Sequence, residues 1–166
     1  MNWSERTDGN RFNKTTVVQG GAYAMRMGIS AAFARKSSAV RRELNWLTHR
    51  MGNMAKDHVD ANFRAESFID DTPKRWPDRK RKVKSRPILV KTGKLKNSIR
   101  VTNRTRNSVS ITTPVSYAGV HNRPVGEMKQ YGPWMYPGRQ FMGHSRQLAD
   151  ATHKMIITRL NTAMKA

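Results

Sequence analysis

The stretch Ile88-Leu89-Val90-Lys91-Thr92-Gly93-Lys94-Leu95-Lys96-Asn97-Ser98-Ile99 divides this chain of 166 residues into two unlike halves. An apolar triplet runs into a Thr-Gly break, and a short amphipathic segment leads into a strand-like run. Gly93 can take a positive φ at little cost, so it marks a corner. Thr92 can cap the turn after it, and Leu95 and Ile99 fall four apart on one helical face. Upstream, the pattern reads as helix and linker. Downstream, it reads as strands, a loop and a closing helix.

Residues 1–36 are read as an N-terminal arm and 37–166 as a single α+β domain. Residues 1–20 lack periodicity, and Trp3 and Phe12 favour an arm that orders against a neighbour. The Ala- and Met-rich segment 22–36 predicts a short helix interrupted at Gly28. Ser37 and Ser38 are N-cap candidates for a long helix running to about Ser67. Its apolar positions are Val40, Leu44, Leu47, Met51, Met54 and Val59. Gly52 is expected to weaken its middle. Residues 68–87 read as a linker, turn-rich to Trp76 and then densely basic through Arg79, Lys80, Arg81, Lys82, Lys84 and Arg86.

After the dividing stretch, apolar and polar residues alternate on both sides of 103–108. This predicts an antiparallel hairpin, about 99–104 against 108–113, ended by Pro114. Tyr117 to Asn122 reads as a short helical turn. Residues 123–138 read as a loop rich in Gly, Pro and aromatics, which suits contact with its own core or a neighbour. Residues 143–166 predict a last helix with a stripe of Leu148, Ala151, Met155 or Thr152, Ile156, Leu160 and Met164.

Charge bounds the partners. The chain carries 32 Lys and Arg against 11 Asp and Glu, a formal net charge of +21. Such self-repulsion calls for an anionic partner, either nucleic acid or acidic protein. From Lys74 to Arg106 the single acid is Asp78. There is no cysteine, so disulfides and thiolate chemistry are excluded. No apolar run approaches a membrane span, and no membrane partner is expected.

A search for catalysis finds little. His49 and His58 stand nine apart, without ligand spacing for zinc. Asp57, Asp60 and Glu66 lack a His or a further acid to complete a metal cage. Asp70 and Asp71 suit a cap or turn better than a cation. Gly93-Lys94 lacks the other residues of a phosphate-binding loop, and neither a nucleophile elbow nor a zinc-protease motif is present. His121-Asn122 is too little for a nuclease dyad. No enzyme activity and no cofactor are expected. Sequence-independent nucleic-acid binding through 74–106 is the alternative function that the charge supports.

Three segments, in order, carry a resemblance: the dividing stretch; Val115-Ser116-Tyr117-Ala118-Gly119-Val120-His121-Asn122; and Pro137-Gly138-Arg139-Gln140-Phe141-Met142-Gly143. Over about residues 68–160 the chain resembles the tail-completion or virion-morphogenesis proteins of long-tailed bacteriophages. Those read Leu-x-x-Thr-Gly-x-Leu-x-x-Ser-Ile, then Tyr-Ala-x-x-His-x-x-Gly, then Pro-Ala-Arg-x-Phe-Leu-Gly. The motif positions here are Thr92, Gly93, Leu95, Ser98, Tyr117, Ala118 and His121. Two departures stand out: Arg123-Pro124 where the glycine is expected, and Gly138 in place of Ala.

The resemblance implies a long N-terminal helix and a C-terminal helix packed on a small, mainly antiparallel sheet. It also implies a structural job: a homo-oligomeric ring, of six or twelve copies, at the virion neck. The ring would join the head connector to the tail tube after assembly in the host cytoplasm. Ring contacts need apolar anchors, and Trp134, Tyr136 and Phe141, with Trp76, are the candidates. Arg139 is expected either to pair with a neighbour's acid or to fix its own loop. The basic linker faces an acidic surface on the adjoining ring or the DNA in the lumen. The need for DNA to slide favours the protein partner.

Overall fold

The computed structural model describes residues 23–28, 38–79 and 86–165. The arm 1–20 lies outside the described residues, as do Lys80, Arg81, Lys82 and Lys84 of the basic linker.

The described elements run β1 (Tyr23–Gly28), α1 (Ser38–Ala65), β2 (Ser67–Phe68), β3 (Lys74–Arg75), α2 (Lys94–Ser98), β4 (Arg100–Thr102), β5 (Ser108–Thr113), α3 (Ala118–His121), β6 (Met128–Tyr131), β7 (Trp134–Pro137) and α4 (Arg146–Lys165). This is the expected α+β class, with a long helix near each end and small antiparallel sheets between.

The main sheet has three antiparallel strands in the order β1-β5-β4. The hairpin expected from the alternation is β4 with β5. Its third strand, β1, corrects the short helix expected over 22–36 at residues 23–28; residues 22 and 29–36 lie outside the described residues. Register places Tyr23, Met25 and Met27 opposite Thr113, Ile111 and Val109. The segment also has a period of two, and edge pairing overrides the helical preference of Ala and Met.

Helix α1 buries Val40, Leu44, Leu47, Met51, Ala55, Val59 and Phe63, at steps of three or four. That stripe meets Val109 and Ile111 of β5 and the buried face of α4 in one core. At Gly52 the helix packs closely on the sheet. A Cβ there would stand 2.9 Å from Val101 Cγ1 and 3.1 Å from Val109 Cγ2. Gly52 therefore serves close packing and does not interrupt the helix.

On α4 the buried positions are Leu148, Thr152, Ile156 and Leu160, while Ala151 and Met164 are exposed. Thr152 can be interior because its hydroxyl donates to the Leu148 carbonyl, 2.7 Å away. The helix starts at Arg146, three residues later than expected. Ser145 Oγ accepts from Leu148 N (3.2 Å), and Asp70 Oδ1 accepts from Arg146 N (2.8 Å). Asp70 is thus a cap supplied from a distant loop, and its neighbour Asp71 pairs with Arg146 at 2.9 Å.

At the dividing stretch Gly93 has φ +76°, and Leu95 and Ile99 are both buried. Thr92 Oγ1 lies 3.4 Å from Lys94 N, a weak cap. Ser98 Oγ donates to the Leu95 carbonyl (2.7 Å) and lies 2.6 Å from Thr113 Oγ1, tying α2 to the end of β5.

Candidate functional site

The second and third motif segments meet at a joint between α1, α3 and the entry to α4. Phe63, Trp76 and Phe141 stack at its centre, with ring centroids 5.5 Å apart for Phe63–Trp76 and 5.3 Å for Phe63–Phe141. Most backbone polar groups of 138–142 have partners within the chain. Trp76 Nε1 donates to the Gln140 carbonyl (2.8 Å). Asn62 Nδ2 donates to the Phe141 carbonyl (3.1 Å), while its Oδ1 accepts from Ile69 N (2.8 Å). Asn122 Oδ1 accepts from both Phe141 N (2.9 Å) and Met142 N (2.8 Å). Irregular backbone can be interior only when its polar groups are paired in this way.

Arg139 is buried in the same joint. Its Nε donates to the Pro77 carbonyl (2.9 Å), its Nη2 to the Asp78 carbonyl (3.1 Å), and its backbone N to the His121 carbonyl (2.7 Å). Burial lowers its pKa, and nearby Arg79 adds to this, against Asp78. Arg139 therefore fixes the start of the basic linker from within.

These positions correct the expected contact roles of Trp76 and Phe141, and Arg139 takes the inward one of its two readings. Trp76 (1% exposed), Phe141 (0%) and Arg139 (7%) are interior and cannot be presented to a partner in this fold. Each is held by side-chain packing and backbone hydrogen bonds within its own chain. The turn-rich entry of the linker also contains a short strand pair. There β2 pairs with β3, Ser67 opposite Arg75 and Phe68 opposite Lys74, which delivers Trp76 to the core.

His121 sits half-buried between Tyr117 and Tyr136, edge-on to each, at 6.1 and 5.7 Å between centroids. Its pKa is lowered to about 4, chiefly by burial and then by the Arg139 charge. Its Nδ1 is buried without a hydrogen-bond partner among the described residues. A neutral ring serving as packing fits this position. The charged group that bears on it is Arg139, and no group of three or more His, Asp or Glu among the described residues can hold a metal ion.

The exposed feature next to this joint is the β6–β7 hairpin. It replaces the loop expected over 123–138. The signal for a hairpin is Gly132-Pro133 between two aromatic-ended runs. Gly132 takes φ +59° at the first of the two turn positions, as tight hairpins with a leading Gly require. Register pairs Tyr131 with Trp134, Gln130 with Met135, Lys129 with Tyr136 and Met128 with Pro137. Cross-strand partners share a face. Tyr131 and Trp134 therefore occupy one face, Met128 and Met135 the other. All four are exposed, Trp134 by 63%. Only Tyr136 and Pro137, nearer the body, are half-buried.

A run of basic positions from Arg86 to Arg106, through and beyond the dividing stretch, is also largely exposed. Arg86, Lys91, Lys94, Arg100, Arg104 and Arg106 are exposed, and Lys96 is half-buried. Arg79 is half-buried and donates to the Pro87 carbonyl.

Motif order, the two-helix architecture and the joint that the motif segments build agree with one comparison. The model of the phage virion morphogenesis family matches residues 32–161. The chain belongs to the phage virion morphogenesis family. No curated protein and no solved structure matches it. Membership makes this a phage structural or assembly protein associated with the virion. In this phage virion morphogenesis protein, Leu95 and Ala118 are buried, Gly93, Ser98, Tyr117 and His121 are half-buried, and Thr92 is exposed. No described helix is long and apolar enough to cross a membrane.

Proposed function

We propose that this virion protein forms a ring at the head–tail joint, in which each copy grips the next through the β6–β7 hairpin. The observation that carries the reading is apolar exposure on both hairpin faces. A two-stranded hairpin alone is marginal in water. Lying on a flat surface would cover only one face. A hairpin with Tyr131 and Trp134 on one side and Met128 and Met135 on the other is better completed by entering a cleft.

A closed ring repeats a head-to-tail contact, which needs two different patches per copy. The other exposed large hydrophobics among the described residues are Trp46, Ile157 and Met164, all on α1 and α4. They offer candidate anchors for a second contact on elements other than the hairpin. Six copies, or twelve, would suit a joint between a connector and a tail tube, as the family resemblance implies.

Imaging of the purified protein and of particles tests this reading. A ring of defined symmetry in the layer between connector and tail is expected. A chain that stays monomeric and binds neither a connector nor a tail-tube protein would overturn it.

A further inference from the structure

We propose that the surface from Arg86 to Arg106 docks on the phosphate backbone of duplex DNA. This goes beyond the ring reading and does not depend on it. The stretch contains seven basic residues, Arg86, Lys91, Lys94, Lys96, Arg100, Arg104 and Arg106, and no acid. They lie on the leader to α2, on α2 itself, on β4 and in the turn after it. Ile88, Leu95 and Ile99 anchor this run in the core, so the charges are carried by a fixed frame.

Of the described acids, Glu43, Asp60, Asp71 and Glu127 are held in ion pairs away from this strip. The four ion pairs among the described residues are Lys56–Asp60, Arg123–Glu127, Arg146–Asp71 and Arg159–Glu43. None reaches the strip. Glu66, the acid that does approach it, accepts from Ile88 N at 2.5 Å and is bound to backbone. Arg104 is positioned by His49, with Nη1 2.6 Å from the ring Nδ1.

Three partners could satisfy such a surface: solvent alone, an acidic protein, or nucleic acid. Basic residues on an edge strand also deter strand pairing, which would account for Arg100 on β4. That role does not extend to Lys91 and Lys94, which lie off the strand. Between protein and DNA, the residues among the charges decide. The other exposed positions of the strip are Pro87, Thr92, Asn97, Asn103 and Thr105. Protein interfaces gather around aromatic and apolar anchors, as the hairpin would. Phosphate-contacting surfaces use Lys and Arg with neutral hydrogen-bonding side chains, as here. Contacts of this kind exchange with counterions and permit sliding. The need for DNA to move through a neck therefore does not oppose them.

The test is fluorescence anisotropy of the full chain with a short labelled duplex of random sequence, between about 50 and 200 mM salt. Binding that weakens steeply with salt is expected. Exchanging Lys94, Arg100 and Arg106 together for Gln should lower affinity at least about tenfold and reduce the salt slope by about two to three. A control exchanging Arg41, Arg42 and Arg50 for Gln, exposed on α1, changes net charge equally and should leave the slope within about one unit. Circular dichroism checks both folds. Should the triple variant not fold, the single changes Lys94→Gln and Arg106→Gln should each remove about one unit of slope. Absence of duplex binding at low salt would overturn the proposal. So would equal losses in the strip and control variants, or binding to polyglutamate with none to the duplex.

Discussion

Gly138 lies directly against the carbonyl oxygen of Pro124, and a Cβ at Gly138 would overlap that oxygen and crowd the Arg123 carbonyl at 2.9 Å. These are two places where the chain departs from the motifs that it resembles. They touch. Gly138 N also donates to the Glu127 carbonyl (2.7 Å), and its own carbonyl accepts from Gly126 N (3.0 Å). The backbone is therefore pinned and cannot easily retreat. Gly138→Ala should destabilise the fold by about 1–3 kcal/mol, as overpacking does. Adding Pro124→Gly frees the opposing backbone and should recover part of the loss. Thermal melts of the two single variants and the double variant would show this as a favourable coupling of at least about 0.5 kcal/mol. Simple additivity would mean that the two departures are independent.

At Gly52 two effects oppose each other. Ala in a helix interior is favoured over Gly by about 1 kcal/mol. Here the added methyl would press on Val101 and Val109, and overpacking costs about 1–3 kcal/mol. Gly52→Ala should therefore be net destabilising in urea unfolding. Val101→Ala in the same chain should turn the effect of Gly52→Ala towards stabilisation. A stabilising Gly52→Ala in the native background would show that the sheet yields.

His121 makes stability depend on acidity. Its folded pKa is about 4, below the unfolded value of 6.5. Between these values the unfolded chain binds the extra proton, so stability rises with pH across the window. Stability from this group is full above about pH 6.5 and is lost as pH falls towards 4. His58, also lowered, chiefly by burial, acts in the same direction. His121→Phe should flatten the dependence of unfolding free energy on pH by up to one proton in that window. An unchanged slope would show that His121 titrates normally in the folded protein.

Trp134 is exposed and touches none of the aromatic cluster at Phe63, so its removal separates assembly from folding. Trp134→Ser should leave the melting temperature of the isolated chain nearly unchanged, since exposed substitutions usually stay within about 0.5 kcal/mol. It should shift the native mass towards the monomer, because aromatic anchors dominate subunit contacts. A ring that persists with a serine hydroxyl in place of the indole would remove the hairpin from the contact.

Much of the frame was legible in residue spacing. The α1 stripe from Val40 to Val59, the corner at Gly93, the β4–β5 alternation and the closing helix follow from local rules of period, φ freedom and capping. Those rules act over a few residues, so the order of residues alone contains them. The same rules are silent on what covers what. Trp76 and Phe141 carry the same apolar signal as Trp134, and only packing around Phe63 distinguishes anchor from exposed tip. Arg139 had two readings, outward to an acid or inward to its own loop. Carbonyls of Pro77 and Asp78, about sixty positions earlier, decided it. Nor did spacing reveal that Asn62 bonds across to Phe141, that Gly52 is a contact point, or that Gly138 and Pro124 meet. Each of these depends on which distant backbone arrives at a given surface. That is set by the joint burial of the whole core, and no local pattern encodes it.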